Sequence, residues 1–190
     1  GYIAKISFSL GIHFTHISTD HLFNGTKSYC SEEDLTCPIN IYGKSKLKGE
    51  TIVLNENPNS LIIRTNFYGW GNVKKYSFSD WIINSLKQEK AINVFRDVHF
   101  TPIIIDELVK CIQILWQNHA EGVYNVVGSE RLSKYEFALK LAQIFNLNNT
   151  LINESLISNT NFLAKRPLDM SLSNKKLINK IKYNPLNIES

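Results

Sequence analysis

The sequence has no apolar run approaching the roughly 20 residues that a membrane-spanning helix requires. Cysteine is scarce. Cys30, Cys37 and Cys111 are an odd set with neither metal-ligand spacing nor the density of a disulfide framework, so free thiols in a reducing, cytoplasmic setting are expected. Five histidines form no HExxH or paired Cys/His pattern, and no metal is expected. Charge of one sign is also in short supply. The 21 basic and 17 acidic side chains leave a net charge of +4, and the lysines are scattered, which argues against a nucleic-acid partner but suits a small anionic ligand. With 9 Gly and 5 Pro, the chain is not collagen-like. It contains no GxGxxG or GxxGxxG, so the turn that grips a dinucleotide pyrophosphate is missing. Its one methionine is Met170 and it opens on Gly1. Residues 1–14 lack the charged start and cleavage site of a signal peptide. Ile3, Ile6, Phe8 and Leu10 before Gly11 read instead as the last turns of a buried helix, as if the domain were entered part-way and its first half were missing.

What is present is a globular pattern, 43% hydrophobic over 190 residues. Phe14–Ser18 reads as a strand feeding a loop, and 24–38 as a long loop. A helix is predicted from about Asn40 to Asn55, then the apolar strand Ser60–Arg64, then a loop from Asn66 to Asn72. Helices follow over 77–89 and 104–118, with a short strand at Ile92–Phe95 between them. In the second of these helices the stripe that includes Trp116 is expected to be core. Gly122–Val127 is a strand, Ser133–Glu136 a capping box opening a helix to Phe145, and a short helix begins near Asn174. Strands alternating with helices indicate an α/β domain with mostly parallel strands.

Tyr42 and Lys46 stand four residues apart on the first long predicted helix, so they share one face. A ketone becoming an alcohol needs a proton donor. A phenol can be one, and a nearby ammonium stabilises the phenolate it leaves. Upstream, Ser18-Thr19-Asp20 places hydroxyls at the carboxyl end of a strand, where open parallel sheets bind ligands. Taken alone, a Tyr-x-x-x-Lys pair far more often describes an amphipathic helix with a half-buried Tyr and a snorkelling Lys than a catalytic pair.

The pair does not stand alone. Ser18–Gly25 (STDHLFNG), Pro38–Glu50 (PINIYGKSKLKGE) and Arg64–Gly69 (RTNFYG) are followed by Asp97–Pro102 (DVHFTP), Gly122–Asn125 (GVYN) and Arg166–Leu172 (RPLDMSL). As a set, spread over about residues 14–172, they resemble the extended short-chain dehydrogenase/reductase superfamily, and within it the dTDP-4-dehydrorhamnose reductase group. The resemblance implies a partial Rossmann-like parallel sheet with helices on both faces. Residues 1–70 would belong to it, 104–128 would return to it, and the rest of 71–190 would form a small substrate-binding subdomain.

By the same resemblance, Tyr42 is the proton donor, and Lys46 binds the nicotinamide ribose and stabilises the Tyr42 phenolate. Thr19 polarises the substrate carbonyl, with Ser18 as its substitute and as a cofactor contact. Asn66 and Arg166 contact the sugar nucleotide, Arg166 through its diphosphate. An ion pair of Arg166 with Asp169 is an equal alternative, and a turn role for Asn66 nearly so. His99 lies in the segment that approaches substrate, and Trp70 is placed to stack on a base or sugar. For these two, a backbone-bonded loop histidine and a packed loop anchor are the competing readings.

The cofactor implied is NADPH or NADH. The substrate is a nucleotide-linked deoxysugar reduced at its 4-keto group, with no membrane partner and with a homodimer left open. An epimerase or dehydratase of the same superfamily uses the same Tyr/Lys pair, and Asp20 beside Thr19 keeps that alternative open. So does a non-catalytic sugar-nucleotide-binding or regulatory subunit built on the same fold.

Overall fold

The computed structural model describes residues 1–71 and 76–189; the part of the predicted 66–72 loop at Asn72 lies outside them. The strands β1 (Thr15–Ile17) and β2 (Leu61–Arg64) are joined through a long irregular segment and α2 (Ile41–Glu56), which follows the N-terminal helix α1 (Tyr2–Ser9). β3 (Phe67–Tyr68), α3 (Phe78–Lys87), β4 (Ile92–Phe95), β5 (His99–Phe100) and β6 (Ile103–Ile104) follow. Then come α4 (Ile105–Gln117), β7 (Gly122–Asn125), β8 (Leu132–Ser133), α5 (Lys134–Ile144), β9 (Ile152–Ser155) and α6 (Lys175–Ile181).

The central sheet is parallel, in the order β1-β2-β7, with Ile62 aligned to His16 on one side and Val123 on the other. All four residues of β2 are buried, as a central parallel strand covered on both faces requires. The pleat divides them. Ile62 packs with Ala4 of α1 and Val53 of α2, whereas Leu61 and Ile63 pack with Leu108, Cys111 and Leu115 of α4 and Leu177 of α6. Strand, helix and parallel strand alternate as the sequence predicts, and the α/β reading holds.

A second parallel pair, β4–β9, packs with α3 and α5 around Phe100 and Phe137. Both helices open on a full capping box, Ser77 with Asp80 and Ser133 with Glu136. The sequence reading missed β9, as well as β3, β5, β6 and β8. Four of these five are two residues long, too short for periodicity to register.

Two expectations need correction. Residues 2–9 are a helix with Gly11 at φ +65° beyond its end, but only Ala4 and Ser7 are buried; Ile3 is 70% and Leu10 65% exposed. Small residues, not the apolar ones, sit against α2. The Trp116 stripe is likewise split: Leu108, Cys111 and Leu115 are core, while Trp116 lies half-exposed and donates from Nε1 to Thr15 Oγ1 at 2.8 Å. A helix beside the edge strand β1 has fewer neighbours to cover its flank.

Two features fix α2 on the sheet. Glu50 and Arg64 form a buried ion pair at 2.8 Å, with the guanidinium bonded to both carboxylate oxygens. At the other end of the helix Asn40 caps by accepting from the Gly43 N–H. A Cβ on Gly43 would run into the His21 carbonyl and the Pro38 ring, so only glycine permits this approach. Glu50→Ala strands the buried Arg64 charge and is expected to lower the unfolding free energy by about 3–5 kcal/mol in urea denaturation. Gly43→Ala gains about 1 kcal/mol of helix propensity but meets backbone that cannot yield. The expected net result is a lower urea midpoint, with overpacking costing about 1–3 kcal/mol.

Candidate active site

The carboxyl end of β1 and the first turns of α2 converge. Tyr42 is in the first turn of α2 and 54% exposed, its ring meeting the His21 imidazole edge-on with centroids 5.5 Å apart. Lys46, one turn on, donates from Nζ to the Ile17 carbonyl oxygen at 2.9 Å, which ties the ammonium to the end of β1. The pair thus shares a face of α2, with the phenol free towards solvent. Ser18 and Thr19 are both buried just beyond the strand. Thr19 Oγ1 donates to the Asp20 carboxylate at 3.2 Å and accepts from the His21 N–H at 3.3 Å, whereas Ser18 Oγ has no partner among the described residues.

Two cavities meet at His21 and Arg166. One of about 520 Å³ has Tyr42, Asn40 and Lys44 in its wall and Leu163–Arg166 opposite. The other, about 240 Å³ and more enclosed, is walled by Asn66, Phe78, Val98, Lys134 and Met170. Asn66 donates from Nδ2 to the Asp20 carboxylate, which joins the loop after β2 to the loop after β1.

The segment carrying Arg166 is held from two sides. Gly25, at φ +85°, leaves no room for a Cβ against Pro167 and Leu168. On the other side the His99 N–H donates to the Leu168 carbonyl at 2.7 Å, and the His99 carbonyl accepts from the Met170 N–H at 2.9 Å. The Asp169 carboxylate pairs with Arg131 at 2.6 Å, so the Arg166–Asp169 ion pair does not form. Arg166 lies over the Phe162 ring instead, 4.1 Å from its centroid.

The charges in this region bias one another. Burial holds His21 below its ordinary value, and the Lys134 and Arg166 cations push the same way against Asp20. Burial also lowers Lys134, to about 8, with Arg166 adding to the effect and Asp20 opposing it. His21 is therefore neutral at pH 7, and its Nδ1 is buried without a partner among the described residues.

The structure brings Tyr42, Arg166 and Asn66 to these two cavities, with Lys46, Ser18 and Thr19 behind the first. It does not bring Trp70 there. Trp70 is 69% exposed and lies edge-on to Phe145 in a separate, largely apolar cavity of about 180 Å³. His99 is outside both site cavities, and its backbone does the work described above. Sequence reasoning missed His21 and Lys134. Lys134 did leave a signal: it is the first residue of α5, where the helix dipole disfavours a cation. Among the described residues no His/Cys/Asp/Glu cluster suits a metal, and no helix is long and apolar enough to cross a membrane.

Known proteins are similar to this chain in sequence and fold. The family model described as the RmlD substrate binding domain matches residues 1–189. The probable low-salt glycan biosynthesis reductase Agl14 of Haloferax volcanii is 30% identical over 171 residues, 88% of this chain and 57% of its own length. The methionine adenosyltransferase 2 subunit beta of Pongo abelii is 30% identical over 186 residues, 93% of this chain and 55% of its own. The dTDP-4-dehydrorhamnose reductase of Bacillus anthracis, solved in complex with NADP, superposes with a TM-score of 0.90 at 27% identity, over 98% of this chain and 66% of that one. The chain thus spans a little over half the length of these curated relatives. With the Tyr/Lys helix, the strand-end hydroxyls and the arginine segment all in one fold, the chain belongs to the family of the RmlD substrate-binding domain, within the extended short-chain dehydrogenases/reductases.

Proposed function

We propose that this chain supplies the proton-transfer and substrate-binding part of a reductase that converts the 4-keto group of a nucleotide-linked deoxysugar to an alcohol. The observation that carries this reading is Tyr42: an exposed phenol on the wall of the larger cavity, with Lys46 one turn behind it on the same face of α2. Membership of a family that includes sugar-nucleotide reductases supports the same assignment.

The chain's residues fit one end of a nicotinamide cofactor. Among the described residues Lys46 bonds a single backbone carbonyl, which leaves donors to spare for ribose hydroxyls, and Ser18 Oγ, without a partner among them, lies next to the same strand end. The pyrophosphate end has no matching glycine-rich turn in the 190 residues. When bound, reduced nicotinamide, NADH or NADPH, supplies the hydride that reaches C4 of the sugar. Tyr42 gives its phenolic proton to the C4 oxygen, so the ketone leaves as a secondary alcohol and the phenol as a phenolate. Lys46 stabilises that phenolate until solvent returns the proton. Thr19, with Ser18 as its substitute, donates to the same oxygen once its bond to Asp20 is exchanged for the substrate. Asn66 and Arg166 hold the sugar nucleotide, with Arg166 on the diphosphate, where a guanidinium bonds two oxygens at once.

The test is reduced-nicotinamide oxidation by the full encoded protein with a dTDP-4-keto-6-deoxysugar. Tyr42→Phe is expected to lower kcat by about 100- to 10,000-fold, the usual worth of a positioned acid, with little change in KM. Full activity in Tyr42→Phe overturns the assignment.

A further inference from the structure

Lys134 is placed where a cation is unfavourable on three counts. It opens α5, at the positive end of the helix dipole. Its ammonium is drawn out of water, 3.3 Å from the centroid of Phe100 and 4.9 Å from that of Phe78. It also shares a cavity with a second cation, Arg166, whose charge works against its own. Neither makes an ion pair with a described carboxylate. The nearby acids are already engaged, Asp169 by Arg131 and Asp20 by Thr19 and Asn66. Aromatic faces, Phe100 under Lys134 and Phe162 under Arg166, and the Asp20 carboxylate acting on Lys134 without an ion pair offset the two charges. A dianionic group between them would remove all three penalties together.

We infer that Lys134 is a substrate-binding residue which, with Arg166, forms a two-cation receptor for the phosphoryl oxygens of a diphosphate in the cavity they share. The inference rests on the sugar-nucleotide reading above and names the side chain that carries the second charge. It also gives substrate binding a pH dependence. The ionisable groups facing Lys134 are Asp20, His21 and Arg166. The diphosphate of a nucleotide sugar, esterified at both ends, is fully ionised between pH 7 and 9 and His21 is held neutral, so within the site the charge that changes in this range is that of Lys134. In the free protein it is lost as pH rises through about 8. A bound diphosphate stabilises the ammonium, so binding near pH 8 takes up a proton, and affinity falls above that pH.

The test is titration calorimetry of the protein, Lys134→Met and Lys134→Arg with inorganic pyrophosphate and with dTDP at pH 7, 8 and 9, in buffers of different ionisation enthalpy. Lys134→Met removes an unfavourable buried charge and is expected to fold, which thermal unfolding checks. At pH 7 it is expected to bind pyrophosphate roughly 10- to 100-fold more weakly than the unmodified protein. The ligand's own ionisation is common to all three proteins, so Lys134→Arg is the reference: between pH 7 and 9 the unmodified protein loses affinity relative to Lys134→Arg, and near pH 8 it takes up more protons on binding. Equal pyrophosphate affinity in Lys134→Met, or the same pH profile in the unmodified protein and in Lys134→Arg, overturns the inference. Lys134-dependent pyrophosphate binding without any gain for dTDP supports the receptor while counting against the nucleotide-sugar reading. Tight dTDP binding that ignores Lys134 does the reverse.

Discussion

The site depends on a buried ion pair that never touches it. Glu50 of α2 and Arg64 at the end of β2 are almost fully excluded from water, and the guanidinium fork grips both carboxylate oxygens. In isolation such a pair adds little net stability, because both charges lose their hydration. Its effect here is geometric. Glu50 lies one turn beyond Lys46 and two beyond Tyr42, so fixing it on β2 fixes the rotation of the helix and the direction in which the phenol and the ammonium point. Gly43 and the Asn40 cap set the start of the same helix against the loop after β1.

Around that fixed helix the charges are arranged against their own interest. His21 is held neutral, Lys134 is desolvated, and Arg166 stands on an aromatic ring rather than against a carboxylate. Stable proteins usually pair such groups with one another. Elsewhere this one does: Arg131 takes Asp169, and Arg64 takes Glu50. His21, Lys134 and Arg166 line two adjoining cavities, which is where a binding protein leaves polar groups waiting for a partner.

The motif residues therefore divide into two kinds. Glu50, Arg64, Gly25, Pro167 and Asp169 hold elements together, while Tyr42, Lys46, Asn66 and Arg166 face or adjoin the cavities. His99 belongs with the first kind through its backbone, since its strand pairs with the segment that carries Arg166. Spacing alone did not separate the kinds, because an arginine in a short motif reads the same whether its partner is a buried glutamate or a ligand.

Local physics was enough to read most of the larger elements. The SLIIR strand, the α4 helix, the Ser133–Glu136 capping box and the Tyr42/Lys46 spacing are all short-range patterns, and each appears in the structure near where the sequence puts it. Tertiary structure decided the rest. It exposed Ile3 and Leu10, moved Trp116 from core to flank, gave Asp169 to Arg131 instead of Arg166, and brought Lys134 across the chain to Arg166. A helix period fixes which residues share a face, and that requires only a few neighbours in sequence. Which face is covered, and which charge meets which, depends on residues tens of positions apart that become neighbours only when the whole chain packs.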